Sequence, residues 1–519
     1  MSRSISRKAF LSRSAVAAAG AALPGGAMLR DNHLREHYFR ITVVDEQTGR
    51  GVPMVELVTE NNICHITDSN GVIAFYEPGL MEQEVFFYIQ SHGYEYPADG
   101  FGYRGARLYT EPGKSAQLKV KRVNIAERLY RLTGQGIYRD SVLLGLDVPI
   151  EEPLLNSKVM GQDSALALPY RDQIYWFFGD TTRPAYPLGN FRTSGATSLL
   201  PGKGGLDPAG GVNLRYFVDD NGFSRAMIPL EGPGVVWLDG LLTVKDKDGR
   251  ERMMGRYERL ENLNKPRLEQ GLVVFNDSTQ TFERVKEFDR ESRLHPQGWS
   301  TFTRVDQGTT YLYFPHPYPN LRVPATPDAI KDPARYEAYT PLAPGSRYQG
   351  TDSKLDRTGD GVLRWGWKRD TDPIIPSEQH SLVEAGKMKA EESPFRTVDT
   401  DSGEPVIAHR GTVCWNEFRK CWVMIFGQIF GTSLLGEIWY AEAPAPEGPW
   451  TRAKKIVTHN QYTFYNPIHH PFFDQKGGRF IYFQGTYTNS FSGNEEQTPY
   501  YDYNQVMYRL DLADERLRM

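Results

Sequence analysis

The chain of 519 residues is too long for one small core and has room for two domains, one of them a propeller or barrel. Its 60 basic and 64 acidic residues leave a formal charge of -4, which excludes the basic footprint of a protein whose main partner is nucleic acid. Tyrosine (29), phenylalanine (26) and tryptophan (9), together with glycine (49) and proline (34), suit many short strands joined by turns, and aromatic walls also suit sugar rings.

The first element in chain order is a targeting pattern. In 3-RSISRKAFLSRSAVAAAGAALPGGAM-28 a basic region precedes an alanine-rich stretch too short and too mildly apolar for a membrane span. Residues 1–30 read as a signal peptide, and Ser6-Arg7-Lys8-Ala9-Phe10-Leu11 resembles the twin-arginine export motif with lysine at its second basic position. The expectation is an exported protein, periplasmic or extracellular, with no membrane span in the mature chain. Three cysteines imply no disulfide framework. Cys414 and Cys421 flank the hairpin-like 414-CWNEFRKC-421 and could bridge after export, and they lack histidines at zinc-site spacing.

Residues 38–122 show period-two alternation in 38-YFRITVVDEQTGRGVPMVELVT-59, 65-HITDSNGVIAFYEP-78 and 84-EVFFYIQSHGYEY-96, with Gly-containing turns between them. A small antiparallel β-sandwich is expected. It resembles transthyretin-like or carboxypeptidase regulatory-like modules, which implies packing or bracing and no catalysis. Residues 123–160 are expected to form a connector, helical at its start and stopped by glycine.

From residue 161 onward five strand-rich groups follow, centred on 163–180, 232–259, 298–315, 412–428 and 468–485. Each pairs a short apolar strand with an aromatic-rich one across a polar turn, as the start of a propeller blade does, and no strand-helix alternation appears. The fold class expected is all-β, a five-bladed β-propeller over 161–519 preceded by the sandwich. Between the third and fourth groups, 316–350 reads as an irregular, proline-rich insertion suited to wall a pocket.

In 161-GQDSALALPYRDQIYWFFGDTTR-183 the strands Ala165–Leu168 and Ile174–Phe178 flank a polar turn. Folding back between Arg171 and Asp172 places Asp163 opposite Asp180. Cross-strand Cβ atoms lie ~5 Å apart, so the two carboxylates repel and their pKa values separate. Used together, one carboxylate stays ionised while the other donates a proton to a leaving oxygen, the retaining geometry of glycoside hydrolysis. The residues that open the first strand of each group converge in a propeller. They add His295, Gln297, His409, Arg410, Asn466 and His470 as substrate-binding candidates, with His469 beside them; Arg256 and Glu258, after a second-group strand, join them. No cofactor is expected, and a structural ion on the axis stays open. The segment 356-DRTGDG-361 lacks the terminal glutamate of a calcium loop and reads as a turn.

The stretch GQDSALALPYRDQIYWFFGDT resembles the opening blade of a family of five-bladed propellers long catalogued as a domain of unknown function. Its signature is an aspartate before the first strand and F-G-D-T after the second. Some members are endo-D-arabinanases, retaining glycoside hydrolases, and the resemblance implies that Asp163 and Asp180 are their catalytic pair. The later 437-EIWYAEAPAPEGPW-450 is similar to a strand and turn of many glycosidase propellers. A polysaccharide or oligosaccharide is the expected substrate. Two other readings stand beside hydrolysis: a non-catalytic carbohydrate-binding propeller, and a polysaccharide lyase with His409 or Tyr465 as base.

Overall fold

The computed structural model describes residues 36–262, 266–459, 462–500 and 503–519. The expected signal peptide, residues 1–30, lies outside them. The chain is mostly β, and among the described residues no helix is long and apolar enough to cross a membrane.

Alternation drives the N-terminal unit: Val85, Phe87 and Ile89 of Glu84–Gln90 all point inward. One four-stranded sheet joins Val72–Phe75, Phe39–Asp45, Ser115–Arg122 and Tyr94–Glu95; the other joins Cys64–Ile66, Glu56–Thr59, Glu84–Gln90 and Gly105–Tyr109. Ile41, Val43, Leu57, Phe75, Phe87 and Leu118 belong to the core they share. The expectation of purely antiparallel pairing fails at one place, because Phe39–Asp45 runs parallel to Ser115–Arg122. Nor do the two strands of 38–59 pair with each other. Val52, Met54 and Val55 between them are buried, so the chain crosses the core and delivers Glu56–Thr59 to the opposite sheet.

Five further sheets of four or five strands follow, with a small three-stranded sheet of Gly161–Gln162, Thr181–Arg183 and Tyr186–Asn190 beside the first. The first joins Ala165–Tyr170, Gln173–Phe178, Ser194–Leu199 and Arg215–Tyr216, and the second joins Val235–Lys245, Glu251–Leu260, Arg267–Asn276 and Thr281–Phe288. The third runs from Phe302–Asp306 through Thr309–Pro315, Pro319–Pro324 and Glu337–Thr340 to Gly366–Arg369. The segment 316–350 is therefore no irregular insertion. Its Leu321 and Val323 are wholly buried and form a strand in the middle of the sheet. The fourth sheet comprises Ala408–Asn416, Cys421–Gln428, Ile438–Ala443 and Arg452–Val457, edged by Val398–Asp399.

The fifth sheet has Thr463–His469, Phe480–Thr488 and Asn504–Asp511, and its fourth strand is Glu127–Arg131 from far upstream. This corrects the helical start expected for the 123–160 connector. All five residues of Glu127–Arg131 are buried, Tyr130 faces Met507, and the Arg509 guanidinium pairs with Glu127. A strand here covers the edge of Asn504–Asp511, whose backbone groups would otherwise be unpaired. The connector's helix is Arg139–Leu143, further along.

Candidate functional site

The first hairpin has the register expected from its sequence: Ala165 faces Phe178 and Tyr170 faces Gln173 across a two-residue turn. Just beyond the paired strands the Asp163 N–H donates to the Asp180 carbonyl (2.9 Å), and the Gly179 N–H is shared between the carbonyls of Asp163 (2.8 Å) and Ser164 (3.1 Å). The ladder is irregular here, with Ser164 at a φ of 29°. Both aspartates open into one cleft that encloses about 290 Å³.

The other walls come from strands broken in the same way. Register shifts lie between Asp239 and Leu242 in the second sheet, between Ala408 and Gly411 in the fourth, and between Tyr465 and Ile468 in the fifth. A bulge bends a strand and re-aims its side chains. Asp239, His409, Arg410, Tyr465 and Asn466 all reach the cleft from these points. Gly240 makes the second break: its φ is 56°, and a Cβ there would lie 2.5 Å from the Pro296 carbonyl carbon.

The four carboxylates of the cleft have different surroundings. Asp163 Oδ1 accepts from Tyr465 Oη and from Ser164 Oγ (2.7 Å). Burial raises the Asp163 pKa, and these hydroxyl donors oppose the rise. Asp180 Oδ1 accepts from Trp237 Nε1 at 3.1 Å. Its pKa is pushed up to about 6 by burial, against the pull of that indole and with a contribution from the Asp163 charge. Glu258 Oε2 instead lies 2.8 Å from Arg256 Nη2 and 2.9 Å from Arg267 Nε, and these guanidinium groups overcome burial to hold its pKa at about 2. Asp239 lies between Arg256 (3.5 Å) and Arg410 (3.9 Å).

Three polar atoms of cleft-lining residues are buried without a protein partner among the described residues: Trp299 Nε1, His409 Nδ1 and Asn466 Oδ1. Arg410 lies over the Trp299 ring at 5.0 Å, and Phe491, 54% exposed, meets Tyr465 edge-on at the rim. Burial drives His409 down to about 3, so its imidazole is neutral.

Of the ten residues expected from sequence, Asp163, Asp180, Glu258, His409, Arg410 and Asn466 line the cleft. The other four do not. Arg256 lies behind it, bonded to Glu258, Asp239 and Gln270. His295 bonds to the Pro296 carbonyl and stacks on Phe288, and Gln297 bonds to Asn320. His470 is four residues beyond Asn466, ~13 Å along an extended chain, and packs among Trp176, Phe472 and Phe473. Sequence reasoning missed Asp239, Trp237, Trp299 and Phe491. The glycine inside 236-VWLDGLLTV-244 was a usable signal for Asp239, since an isolated glycine in a strand marks a bulge. Cys414 and Cys421 are both free thiols, because Cys414 faces Val423 while Cys421 faces Asn416. Asp356 pairs with Arg364 and Lys368 rather than shaping an ion loop, and among the described residues no group of three or more His, Cys, Asp or Glu is arranged to hold a metal.

No protein-family model matches this chain, and no curated protein does. Similar solved structures include glycoside hydrolases. An exo-β-1,3-galactanase from Phanerochaete chrysosporium is 10% identical, with 75% of this chain and 65% of that chain covered and a TM-score of 0.36. A thermostable family-43 glycoside hydrolase is 13% identical over 67% of this chain and 88% of its own (TM-score 0.30). An exo-1,5-α-L-arabinanase from a bovine ruminal metagenomic library is 8% identical over 68% and 94% (TM-score 0.33). The functional reading rests on the cleft residues.

Proposed function

We propose that this protein is an exported glycoside hydrolase that cleaves a neutral polysaccharide with retention of anomeric configuration. In this reading the five successive sheets are the blades of a propeller, residues 38–122 are an accessory sandwich, and residues 1–30 direct export. The observation that carries the proposal is the contrast between the facing aspartates. Asp180, pushed up to about 6, keeps its proton at mildly acidic pH and protonates the leaving oxygen. Asp163, its Oδ1 held by Tyr465 and Ser164, attacks the anomeric carbon through its other oxygen. Asp180, then ionised, takes a proton from the water that releases the sugar.

Among the described residues Asp163 and Asp180 have no guanidinium partner to offset a second negative charge brought against them, which disfavours an acidic glycan and so disfavours a uronate lyase. Tyr465 is a poor base as well, since burial and the Asp163 charge raise it well above the ordinary phenol range. The test is a panel of neutral furanose and pyranose polysaccharides followed by product analysis. New reducing ends without ultraviolet absorbance support hydrolysis. An absorbing unsaturated product would make the protein a lyase, and binding without products would make it a binder.

A further inference from the structure

The edge strands Ala408–Asn416 and Thr463–His469 of the fourth and fifth sheets carry a second polar constellation at the ends remote from the cleft. Cys414 lies four residues beyond Arg410 and His469 three beyond Asn466, ~10 to 13 Å along each strand. There the Cys414 Sγ lies 3.1 Å from His469 Nδ1, and His469 Nε2 lies 2.8 Å from Asp474 Oδ1. The ring is fixed from behind as well, because the His469 backbone N–H donates to Thr412 Oγ1 at 3.1 Å. His469 is 3% exposed, whereas Cys414 is only partly buried and its neighbour Trp415 is exposed. Nucleophile, base and orienting carboxylate thus meet from two distant stretches of chain, Cys414 from one and His469 and Asp474 from the other, in the order that activates a thiol.

We propose that Cys414 is a reactive thiol site, activated by His469 and Asp474, that forms mixed disulfides with small disulfide compounds. Asp474 accepts from His469 Nε2–H and so leaves Nδ1 to take the thiol proton. Cys414 sulfur then bonds to one sulfur of the incoming disulfide while its S–S bond breaks. The other half departs as a thiolate and is protonated from solvent, so that one disulfide is exchanged for another with no net oxidation. Burial lowers the His469 pKa, but the Asp474 and Cys414 charges outweigh it and raise the group well above the ordinary imidazole range. The other ionisable groups nearby do not compete: His470, next in the chain, is driven down to about 3 by burial and by His469, and the Arg419 and Glu442 charges pair with each other beside Cys421.

The other two thiols serve as internal controls. Cys64 is exposed, yet burial of its sulfur and the Glu56 charge push its thiol up to about 11, so it labels slowly in spite of its accessibility. Cys421 is pushed up to about 12 by burial and the Glu442 charge. The full chain is treated with limiting iodoacetamide at pH 6.5, and each cysteine peptide is quantified by mass spectrometry. Cys414 is expected to label at least about ten-fold faster than either control. With glutathione disulfide it gains one glutathionyl group, removable by a thiol reductant. His469→Gln and Asp474→Asn should each slow Cys414 labelling at least about ten-fold relative to the parent protein. Asp474→Asn alters a partly exposed side chain and decides the question if His469→Gln does not fold. A Cys414 rate no faster than that of Cys64 in the parent protein, or a rate unchanged in folded Asp474→Asn, would overturn the proposal. Hydrolysis plays no part in the readout, so failure here leaves the cleft reading untouched.

Discussion

The first and second sheets each bring two carboxylates to the same cleft and treat them in opposite ways. On the second, Glu258 and Asp239 sit among Arg256, Arg267 and Arg410. On the first, Asp163 and Asp180 are met by hydroxyls and an indole N–H. Glu258, gripped by Arg256 and Arg267, is held at about 2 and braces the wall, and Asp239 is raised by burial against the pull of Arg410 and Arg256. Asp180, desolvated with no cation beside it among the described residues, is pushed up to about 6 and can exchange its proton there. The chemistry is therefore expected on the first sheet, with the second as its frame.

The sharpest way to break this contrast is to neutralise the first pair. Asp163→Asn and Asp180→Asn should each lower turnover by a factor on the order of 10² or more in the folded protein, measured by release of reducing ends. Azide added to Asp163→Ala should give a glycosyl azide of inverted configuration, and added to Asp180→Ala one of retained configuration. The opposite outcome exchanges the two roles.

The frame should fail differently. Arg256→Met takes one guanidinium from both Glu258 and Asp239, which keep Arg267 and Arg410, so the cost should fall below the ~3 to 5 kcal/mol of a buried charge left with no partner. The loss should appear as a lower unfolding midpoint in urea. Turnover that fell while stability held would move Arg256 from frame to chemistry.

The pH dependence sharpens the contrast further. Because Asp180 is pushed up to about 6, turnover that needs its proton should fall as pH rises through about 6. Stability follows the same group. A carboxyl with a raised folded pKa binds its proton more tightly in the folded than in the unfolded chain, so its contribution is present below the unfolded value and is lost as pH rises through about 6. Asp180→Asn should therefore melt higher than the parent at pH 7.5 and close to it at pH 4, by calorimetry. The smallest effect is expected from Trp237→Phe. Removing the 3.1 Å bond to Asp180 takes away a donor that favours the ionised form, so the alkaline limb should move to higher pH, by less than about one unit. A shift to lower pH would contradict the hydrogen bond.

The opening hairpin was legible because its determinants are local: a polar turn, strands alternating in period two, and symmetry about Arg171 and Asp172 that brings Asp163 to Asp180. The five strand groups could be read for the same reason. His295, Gln297 and His470 were misplaced because a position at the end of an apolar run does not tell which way the side chain turns. Asp239 was missed because it stands inside a run, where only a bulge exposes it.

The amino-acid order by itself thus determined the strands, their turns and the facing aspartates, all set by contacts between residues close in the chain. Tertiary structure alone decided that Glu127–Arg131 completes the last sheet, that 316–350 supplies two strands of the third sheet, and that Arg256, Arg267 and Arg410 bind one pair of carboxylates and leave the other free. Edge covering, burial and charge pairing depend on which distant segments meet, and no local pattern encodes that.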